Sequence, residues 1–502
     1  MSAATSLLPG ATPTPPRRRS FRPAFGVALP IAVGVLAFVV RIGFLLRGGG
    51  LTGIGSYDDG VYYSAADALV HGRVPYADFL LLHPPGIVLA AAPFAALGAV
   101  TNDTTGYVVA RIAFELVGAL NAALVVLILK RFGTTAAVVG GLLYAVLLPA
   151  AWVERSVLLE ALGSLGILAA LLLLRRERPS DARVLAAGLA AGAAADVKIW
   201  YVVPVLVIAV FGTDRRGRFL LGAAIAIVAV CLPFFALDPG AMFREVVLDQ
   251  LGRPRDPAML PRVAGMLGVQ RLHGLPLRGI VEVAVVLAAA AAALALVTRG
   301  ARVFALLLAA DAAVLIASPS WFEHYGSLTA PPLALCAGVG AQRLLGLVPA
   351  RYGARAALVA LVGAAVVIGG THIDARSRSG VAVPAAFVRA VQADDVCITT
   401  DDPSVLIVTD SLSRDLSMPR CPVWPDVTGW TYDPATLPAG DTVQPPRRED
   451  PAWQQLVLRF LRAGDATILV RRDTGLDRTS LAALHAAPPL ARDGRWVLRP
   501  TT

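Results

Sequence analysis

Residues 56–86 read SYDDGVYYSAADALVHGRVPYADFLLLHPPG, and the polar chemistry of the chain is concentrated in this stretch. Two adjacent carboxylates, Asp58 and Asp59, stand near its start, and His83 followed by two prolines stands near its end. An apolar run at 27–46 precedes it and is long enough to cross the hydrocarbon core of a membrane. A polar segment directly after a membrane span is predicted to be a loop that carries function at the membrane surface.

The composition indicates a membrane protein. Of the 502 residues, 56% are hydrophobic and only 16% are charged, and the mean hydropathy is +0.66. These values predict a polytopic membrane protein and exclude an ordinary soluble globule. The net charge of +10 raises nucleic-acid binding as an alternative. However, Lys and Arg fall largely in short clusters between apolar runs, which is the pattern that orients helices toward the cytoplasm.

The apolar runs predict about eleven transmembrane helices. These are residues 27–46, 108–129, 134–151, 157–174, two short or broken spans within 184–211, and then 219–237, 279–297, 303–317, 328–345 and 356–370. The run 184–211 is long for one span and has basic residues at both ends, so it is interpreted as a hairpin whose outer tip is 196–200. The basic clusters predict a cytoplasmic N-terminus and a C-terminus on the opposite side of the membrane.

The predicted fold class is an all-α polytopic membrane domain with a small extracytoplasmic α/β domain at its C-terminus. We assign 1–26 to a disordered cytoplasmic segment, 27–372 to the membrane domain, 47–107 to its first outer loop and 373–502 to the C-terminal module. Within 47–107, residues 64–70 predict a short helix along the membrane interface.

The C-terminal module is predicted to combine strands and helices. Strands are predicted at 396–400, 405–409, 467–470 and 496–499, and helices at 453–462 and 480–486. Because the module is placed outside the membrane, Cys397 and Cys421 are predicted to form a disulfide. The Asp401-Asp402 pair is interpreted as a turn.

The motif order in residues 56–86 resembles the first extracytoplasmic loop of the polyprenyl-phosphate-sugar-dependent glycosyltransferases with the GT-C fold. These include the protein O-mannosyltransferases, of glycosyltransferase family 39, and the aminoarabinose transferases. In them an acidic pair follows the first transmembrane helix and a His-Pro-Pro or Lys-Pro-Pro motif precedes the second. Asp58-Asp59 and His83-Pro84-Pro85 match these two places, although the second acid is commonly Glu.

The resemblance implies an integral membrane glycosyltransferase of the bacterial plasma membrane. Such an enzyme transfers a hexose or pentose from a polyprenyl-phosphate-linked donor to an extracytoplasmic glycan, lipid or protein. The resemblance assigns no cofactor and leaves the metal requirement open, so that a divalent metal remains one option. Asp58 is then the candidate base that takes the proton of the acceptor hydroxyl, with Asp59 assisting or orienting it. The alternative for Asp-Asp-Gly is a plain turn.

The remaining candidate substrate contacts are His83, Lys198, Tyr62, Asp78, Glu154, Arg155 and His324. His83 has three open interpretations: it binds the donor phosphate, orients Asp58, or caps a helix start. Lys198 is the favoured phosphate ligand, with snorkelling to the interface as the alternative.

Several of these candidates have a structural alternative. Asp78 either acts on substrate or caps the following segment. For Glu154 and Arg155 the alternatives are an internal ion pair and ordinary solvation of a loop, and solvation is favoured. For His324 the alternatives are a place in the acceptor cleft and loop solvation, and solvation is again favoured. Arg111 and Glu115, one helical turn apart, are interpreted as a helix-surface pair.

Two other function classes compete with transfer. A transporter or lipid flippase is expected to carry ionisable residues near span centres and broken helices, and only 184–211 and Asp311 point that way. A membrane scaffold that merely presents the C-terminal module is expected to have no cavity between the first outer loop and the membrane.

Overall fold

The structure is a computed structural model that describes residues 23–253, 255–270, 276–346, 380–393, 395–432, 445–471 and 474–501. Within these ranges the chain is mostly helical and carries one small sheet. The predicted last span at 356–370 and residues 1–22 of the predicted disordered segment lie outside the described residues.

The helices up to residue 346 make up the membrane part. They are α1 (Pro23–Arg47), α2 (Tyr57–Val70), α3 (Gly86–Val100), α4 (Asp103–Leu129), α5 (Thr134–Val146), α6 (Leu148–Val153), α7 (Leu159–Leu174), α8 (Asp181–Ala195), α9 (Val202–Phe211), α10 (Arg216–Leu237), α11 (Pro239–Phe243), α12 (Asp249–Leu251), α13 (Met259–Leu267), α14 (Leu277–Leu296), α15 (Arg302–Ala317) and α16 (Ala330–Gly346). Short 3-10 or π segments join them at Lys130–Phe132, Ile199–Tyr201, Arg244–Leu248 and Glu323–Thr329.

Among the described residues, four helices are long and apolar enough to cross a membrane, namely Val27–Arg47, Asp103–Phe132, Arg216–Leu237 and Leu277–Leu296. Shorter apolar helices accompany them. In α10 and α14 most of the apolar surface faces outward, because only 17% and 11% of their apolar windows are buried within the protein. Such exposed apolar surface is stable in contact with lipid tails, and the chain is therefore a multi-pass membrane protein.

The run at 184–211 is broken where the charge pattern predicted a tip. α8 ends at Ala195, residues 196–198 are non-helical, and a 3-10 turn at Ile199–Tyr201 leads into α9. α8 packs between α7 and α10, whereas α9 packs against α15. The break places Lys198 between two short helices and not in the middle of a long one.

The first outer loop is more helical than the sequence indicated. α2 begins seven residues before the predicted 64–70 helix, so Asp58 and Asp59 belong to a first helical turn and not to a turn of the loop. α2 packs against α3, its side chains contact α4 through Asp59–Arg111 and Tyr63–Tyr107, and most of its residues are buried. It is therefore enclosed by protein and is not the interfacial helix that we predicted.

The C-terminal module, residues 380–501 as described, contains a four-stranded sheet. Its strands are β1 (Ile398–Thr400), β2 (Ala466–Ile468), β3 (Ala491–Asp493) and β4 (Trp496–Pro500), in the order β1-β2-β4-β3. β1 and β2 are parallel, and the other two pairings are antiparallel. The helices are α17 (Ala385–Gln392), α18 (Ser404–Val408), α19 (Leu412–Ser417), α20 (Pro451–Leu461) and α21 (Arg478–Leu484).

One strand prediction in this module is wrong. Residues 405–409 are β-branched and apolar, but the chain forms α18 there and buries all five of its residues. Both Asp401 and Asp402 are also buried, and Asp401 accepts hydrogen bonds from the backbone N–H groups of Val470 and Arg471. The predicted Cys397–Cys421 disulfide is formed.

The module docks closely on the helix that carries the acidic pair. α18 contacts α2 at Gly60, where a Cβ atom would lie 2.9 Å from the backbone nitrogen of Ser404. Only glycine allows this approach, because backbone atoms cannot rotate away as a side chain does. The module therefore closes over the first outer loop.

Candidate active site

A cavity of about 280 Å³ lies where the membrane helices meet the C-terminal module. Its walls come from the start of α2 with residues 81–83, from the loop between α15 and α16, and from the module. Trp152 of α6, Leu158 before α7 and Arg253 after α12 complete the lining. The lining residues with polar side chains are Ser56, Tyr57, Asp58, Tyr62, His83, Trp152, Arg253, Glu323, His324, Tyr325, Asp426, Thr428, Arg447 and Arg471. The scaffold hypothesis expected no cavity between the first outer loop and the membrane. This cavity lies against residues 56–62 and 81–83 of that loop.

Asp58 lies in the first turn of α2 and faces the cavity. The first turn of a helix favours acidic residues, because the positive end of the helix dipole stabilises a carboxylate. Its Oδ2 lies 3.6 Å from Nδ1 of His324, and 34% of its side chain remains exposed. Enclosure by protein, followed by repulsion from Asp426, raises the pKa of Asp58 to about 7. At this pKa a carboxyl group exchanges protons readily near neutral pH.

Asp59 points the other way, into the protein. Its Oδ2 accepts hydrogen bonds from Nη2 of Arg111 at 2.8 Å and from Oγ of Ser156, and its side chain is 1% exposed. Arg111 also donates to the backbone oxygens of Leu51 and Gly53. The predicted Arg111–Glu115 surface pair is thus wrong, since Arg111 is buried and its ion partner is Asp59.

Hydrogen bonds with three side chains fix the backbone of residues 81–83, which carries His83. Tyr76, in the left-handed region at φ 69°, donates from its hydroxyl to the His83 backbone oxygen at 2.7 Å. The side chain of Gln250 donates to Leu82 O, and that of Glu245 accepts from Leu81 N. A non-glycine residue at positive φ is strained, and such strain persists only where the surroundings hold it.

The imidazole of His83 presents an unused polar atom. Its Nδ1 is buried and has no hydrogen-bond partner among the described residues. Tyr62 packs edge-on against the ring at 5.7 Å between centroids. Burial, together with the positive charges of Lys198 and Arg253, holds the pKa of His83 well below its ordinary value. The ring is therefore neutral, and its buried Nδ1 is placed to bind a ligand.

The sequence analysis missed the cation that reaches this cavity from the membrane side. Arg253 follows α12 and lines the cavity, and its Nη1 donates to the Tyr325 hydroxyl at 2.7 Å. Arg253 was not among the residues that the sequence predicted for substrate binding. Arginine stays charged at any physiological pH and matches phosphate geometry, so Arg253 is a suitable anion ligand.

Lys198 has a protein partner instead of facing the cavity. Its Nζ donates to Oε1 of Glu160 at 2.7 Å, and both side chains are almost fully buried. The ammonium also lies 4.2 Å from the centroid of the Tyr325 ring. Lys198 therefore stands directly behind the cavity wall that Tyr325 forms.

Two further candidates lie away from the cavity. Glu154 is fully buried and binds Arg41, Asn121 and Tyr144, so it is not solvated and its ion partner is Arg41 instead of the neighbouring Arg155. Asp78 is exposed, and its Oδ2 accepts from Val74 N at 2.6 Å within a local turn.

Two more residues that the sequence analysis singled out are Arg155 and Asp311. The guanidinium of Arg155 lies over the Trp152 ring, 3.3 Å from its centroid, and Trp152 lines the cavity. Asp311, which hinted at a transporter, is buried in α15 beside a separate pocket of about 10 Å³.

The C-terminal module forms the wall opposite the membrane helices, which no local sequence pattern indicated. Asp426, Arg447 and Arg471 reach the cavity from loops between its strands and helices. The Arg471 guanidinium stacks on the ring of Tyr57 at 4.3 Å, and the Tyr57 hydroxyl donates to Asp426. Residues nearly four hundred positions apart thus share one site.

The metal requirement was left open, and the geometry adds one fact. In the part of the chain that the structure describes, no group of three or more His, Cys, Asp or Glu side chains is arranged to hold a metal ion. We derive no step through a metal.

Comparison with known proteins places the fold. Neither a scan of protein-family models nor a search of curated proteins found a match. Among solved structures, ArnT from Cupriavidus metallidurans in the apo state aligns over 96% of this chain and 98% of its own, with a TM-score of 0.58 and 16% identity. ArnT bound to undecaprenyl phosphate aligns over 95% and 98%, with a TM-score of 0.52 and 16% identity. At these identities the likeness establishes the fold alone, and the predicted GT-C fold is confirmed.

Proposed function

We propose that this protein is a membrane glycosyltransferase that moves a sugar from a polyprenyl-phosphate donor to a hydroxyl group of an extracytoplasmic acceptor. The observation that carries the proposal is one cavity, at the junction of apolar helices and a polar module, that collects Asp58, His83 and Arg253. A carboxylate near a cation and a neutral imidazole is the set that glycosyl transfer from a phosphate needs. The fold shared with ArnT, which was solved with undecaprenyl phosphate, supports the donor class.

In the proposed reaction the acceptor oxygen forms a bond to the anomeric carbon of the sugar while the bond from that carbon to the phosphate oxygen breaks. Asp58 takes the proton of the acceptor hydroxyl, and polyprenyl phosphate leaves with the electron pair. Arg253 balances the charge that grows on the phosphate, and His83 donates a hydrogen bond to it. Preorganised donors of this kind act more strongly the less water surrounds them.

Lys198 and Asp59 act in this scheme from behind the cavity. We predicted Lys198 as the phosphate ligand, but its bond to Glu160 favours a supporting role beneath Tyr325. The Arg111–Asp59 pair ties α2 to α4 and so fixes the helical turn from which Asp58 projects. We also propose that the cavity faces the extracytoplasmic side, as the basic clusters of the predicted inner loops require.

The test is transfer of a labelled sugar in proteoliposomes that contain the purified full chain and a polyprenyl-phosphate sugar. Asp78→Asn is a matched control for Asp58→Asn, because Asp78 belongs to the same loop but is exposed and remote from the cavity. We expect Asp58→Asn to lose transfer by about 10²- to 10⁴-fold, as loss of a general base does. Asp78→Asn should transfer at the wild-type rate.

The phosphate assignment has its own pair of variants. Arg253→Gln is expected to raise the KM for the donor, whereas Arg255→Gln, two residues further on and exposed, should leave it unchanged. Full transfer by Asp58→Asn would remove the proposed base. A wild-type protein that transfers from no such donor but moves lipid or solute across vesicles would establish the transporter in its place.

A further inference from the structure

Asp426 is a second carboxylate on the cavity, and it belongs to the C-terminal module. Its Oδ1 accepts hydrogen bonds from the Tyr57 hydroxyl at 2.9 Å, Gly429 N at 2.8 Å and the Thr428 hydroxyl at 3.2 Å. Three donors on one oxygen fix the orientation of the side chain. Asp426 and Asp58 line the same cavity from opposite parts of the molecule.

Tyr57 links the two carboxylates physically. It directly precedes Asp58 in α2, its hydroxyl binds Asp426 and also accepts from Thr428 N at 3.1 Å, and its ring carries the Arg471 guanidinium. The Cys397–Cys421 disulfide fastens the chain shortly before Asp426 to the residue before β1. The module segment that bears Asp426 is therefore held in register with the residue beside Asp58.

We propose that Asp426 is a positioning residue of the catalytic site: it acts electrostatically on Asp58 from the module side of the cavity, so that the site is complete only when the module is docked. This inference rests on the proposed function of Asp58 as the base. It gives the module a part in the chemistry, beyond its packing on α2.

Charged groups on several elements around Asp58 shift its pKa. Burial is the largest cause that raises its pKa, and repulsion by Asp426 is the next, followed by Glu160 of α7 and Asp59 of α2 itself. Arg253 lowers the pKa, Lys198 lies within electrostatic reach, and His324 is in contact. Asp426 is thus the strongest single charge that makes Asp58 a better base, and it is the only one of these groups that the module supplies.

The experiment compares Asp426→Asn with Asp410→Asn in the full chain. Asp410 also lies where the module meets the membrane helices, since its Oδ1 accepts from Thr104 N at 2.8 Å, but it does not line the cavity. Its φ of 52° is one that asparagine tolerates, so the control is conservative. The measured quantity is the pH dependence of kcat/KM for sugar transfer.

We expect the acidic limb of the profile to move to lower pH by about one unit in Asp426→Asn, because a like charge near the base has been removed. In Asp410→Asn the limb should stay at its wild-type position, and in Asp426→Glu, which keeps the charge, it should stay near it. Identical limbs in Asp426→Asn and wild type would overturn the inference. A purely structural role would lower the rate at all pH values without moving the limb.

Two further measurements keep the outcome decisive. If Asp426→Asn does not fold, Asp426→Ser removes the same charge, keeps a hydroxyl oxygen in place of the carboxylate, and should move the limb in the same direction. Infrared titration of the carboxyl groups, with Asp58→Asn as the reference, reports the protonation of Asp58 without turnover. If the wild-type protein transfers no sugar, the proposed function is wrong. The infrared titration would still show whether Asp426 acts on Asp58.

Discussion

The cavity and the protein layer behind it use the same residue types in opposite ways. Asp58 keeps 34% of its side chain exposed beside His324, whereas its neighbour Asp59 is 1% exposed and bound to Arg111. Two other buried pairs, Lys198 with Glu160 and Arg41 with Glu154, belong to the same layer. Each pair joins segments far apart in sequence. A charge on the cavity is available to substrate, while a charge in this layer is neutralised by protein and holds helices together.

The strongest test of this difference neutralises the two adjacent aspartates, Asp58 and Asp59, one at a time. Asp58→Asn should lose about 10²- to 10⁴-fold in kcat while the protein keeps its unfolding temperature. Asp59→Asn should instead lower the unfolding temperature, because Arg111 is left buried with no charged partner. Transfer assays and thermal unfolding in detergent measure the two effects. Equal loss of activity and stability in both variants would end the distinction.

A second test removes one partner from the buried layer. Glu154→Ala should reduce the free energy of unfolding by about 3–5 kcal/mol, because Arg41 would remain charged and buried. The double variant Arg41→Met with Glu154→Met should recover much of this loss, since no charge is then left in the apolar surroundings. Reversible unfolding in mixed detergent measures both. If the double variant is as unstable as the single one, packing and not charge holds this layer.

A third test loosens the module wall of the cavity. Cys397→Ser with Cys421→Ser should destabilise the module by about 3 kcal/mol in the chain-entropy model, for a bridge that spans 24 positions. Limited proteolysis of the intact protein reports cleavage within the module. Cys231→Ser, which replaces a free cysteine of α10, is the control and should leave the cleavage rate unchanged. Equal cleavage in both variants would show that the bridge does not hold the module.

The smallest predicted effect concerns pH. A base works in its ionised form, so kcat/KM should rise about tenfold per unit as pH increases toward 7 and level off above it, because the pKa of Asp58 is raised to about 7. His324 is neutral throughout this range, since burial lowers its pKa to about 4, and it should contribute no limb. A stopped transfer assay across this pH range gives the profile. A limb at the ordinary pKa of a carboxyl group would mean that Asp58 is not perturbed by its surroundings.

Much of the architecture follows from local patterns. The break at 196–198, the helix Pro451–Leu461 and the strands at 398–400 and 466–468 lie where hydropathy, charge and residue type placed them. Residues 404–408 did not follow their propensity, because α18 packs on α2 and tertiary contacts outweigh a weak β preference. The helix Gly86–Val100 was missed because its residues were assigned to the first outer loop, 47–107, although they are almost all apolar.

Local sequence was enough to show that this chain lies in a membrane and that its polar loop is residues 56–86. It was also enough to recognise Asp58-Asp59 and His83-Pro84-Pro85 as the motif pair of a GT-C fold. Those properties depend on composition and on residues close together in the chain, so they can be recognised before any folding. Only the folded arrangement shows that Asp58 faces the cavity and Asp59 does not, that Arg253 lines the cavity while Lys198 pairs with Glu160 behind it, and that the module supplies Asp426. The physical reason is that burial and ion pairing are set by segments tens to hundreds of residues away, and a local pattern holds no information about which of them will meet.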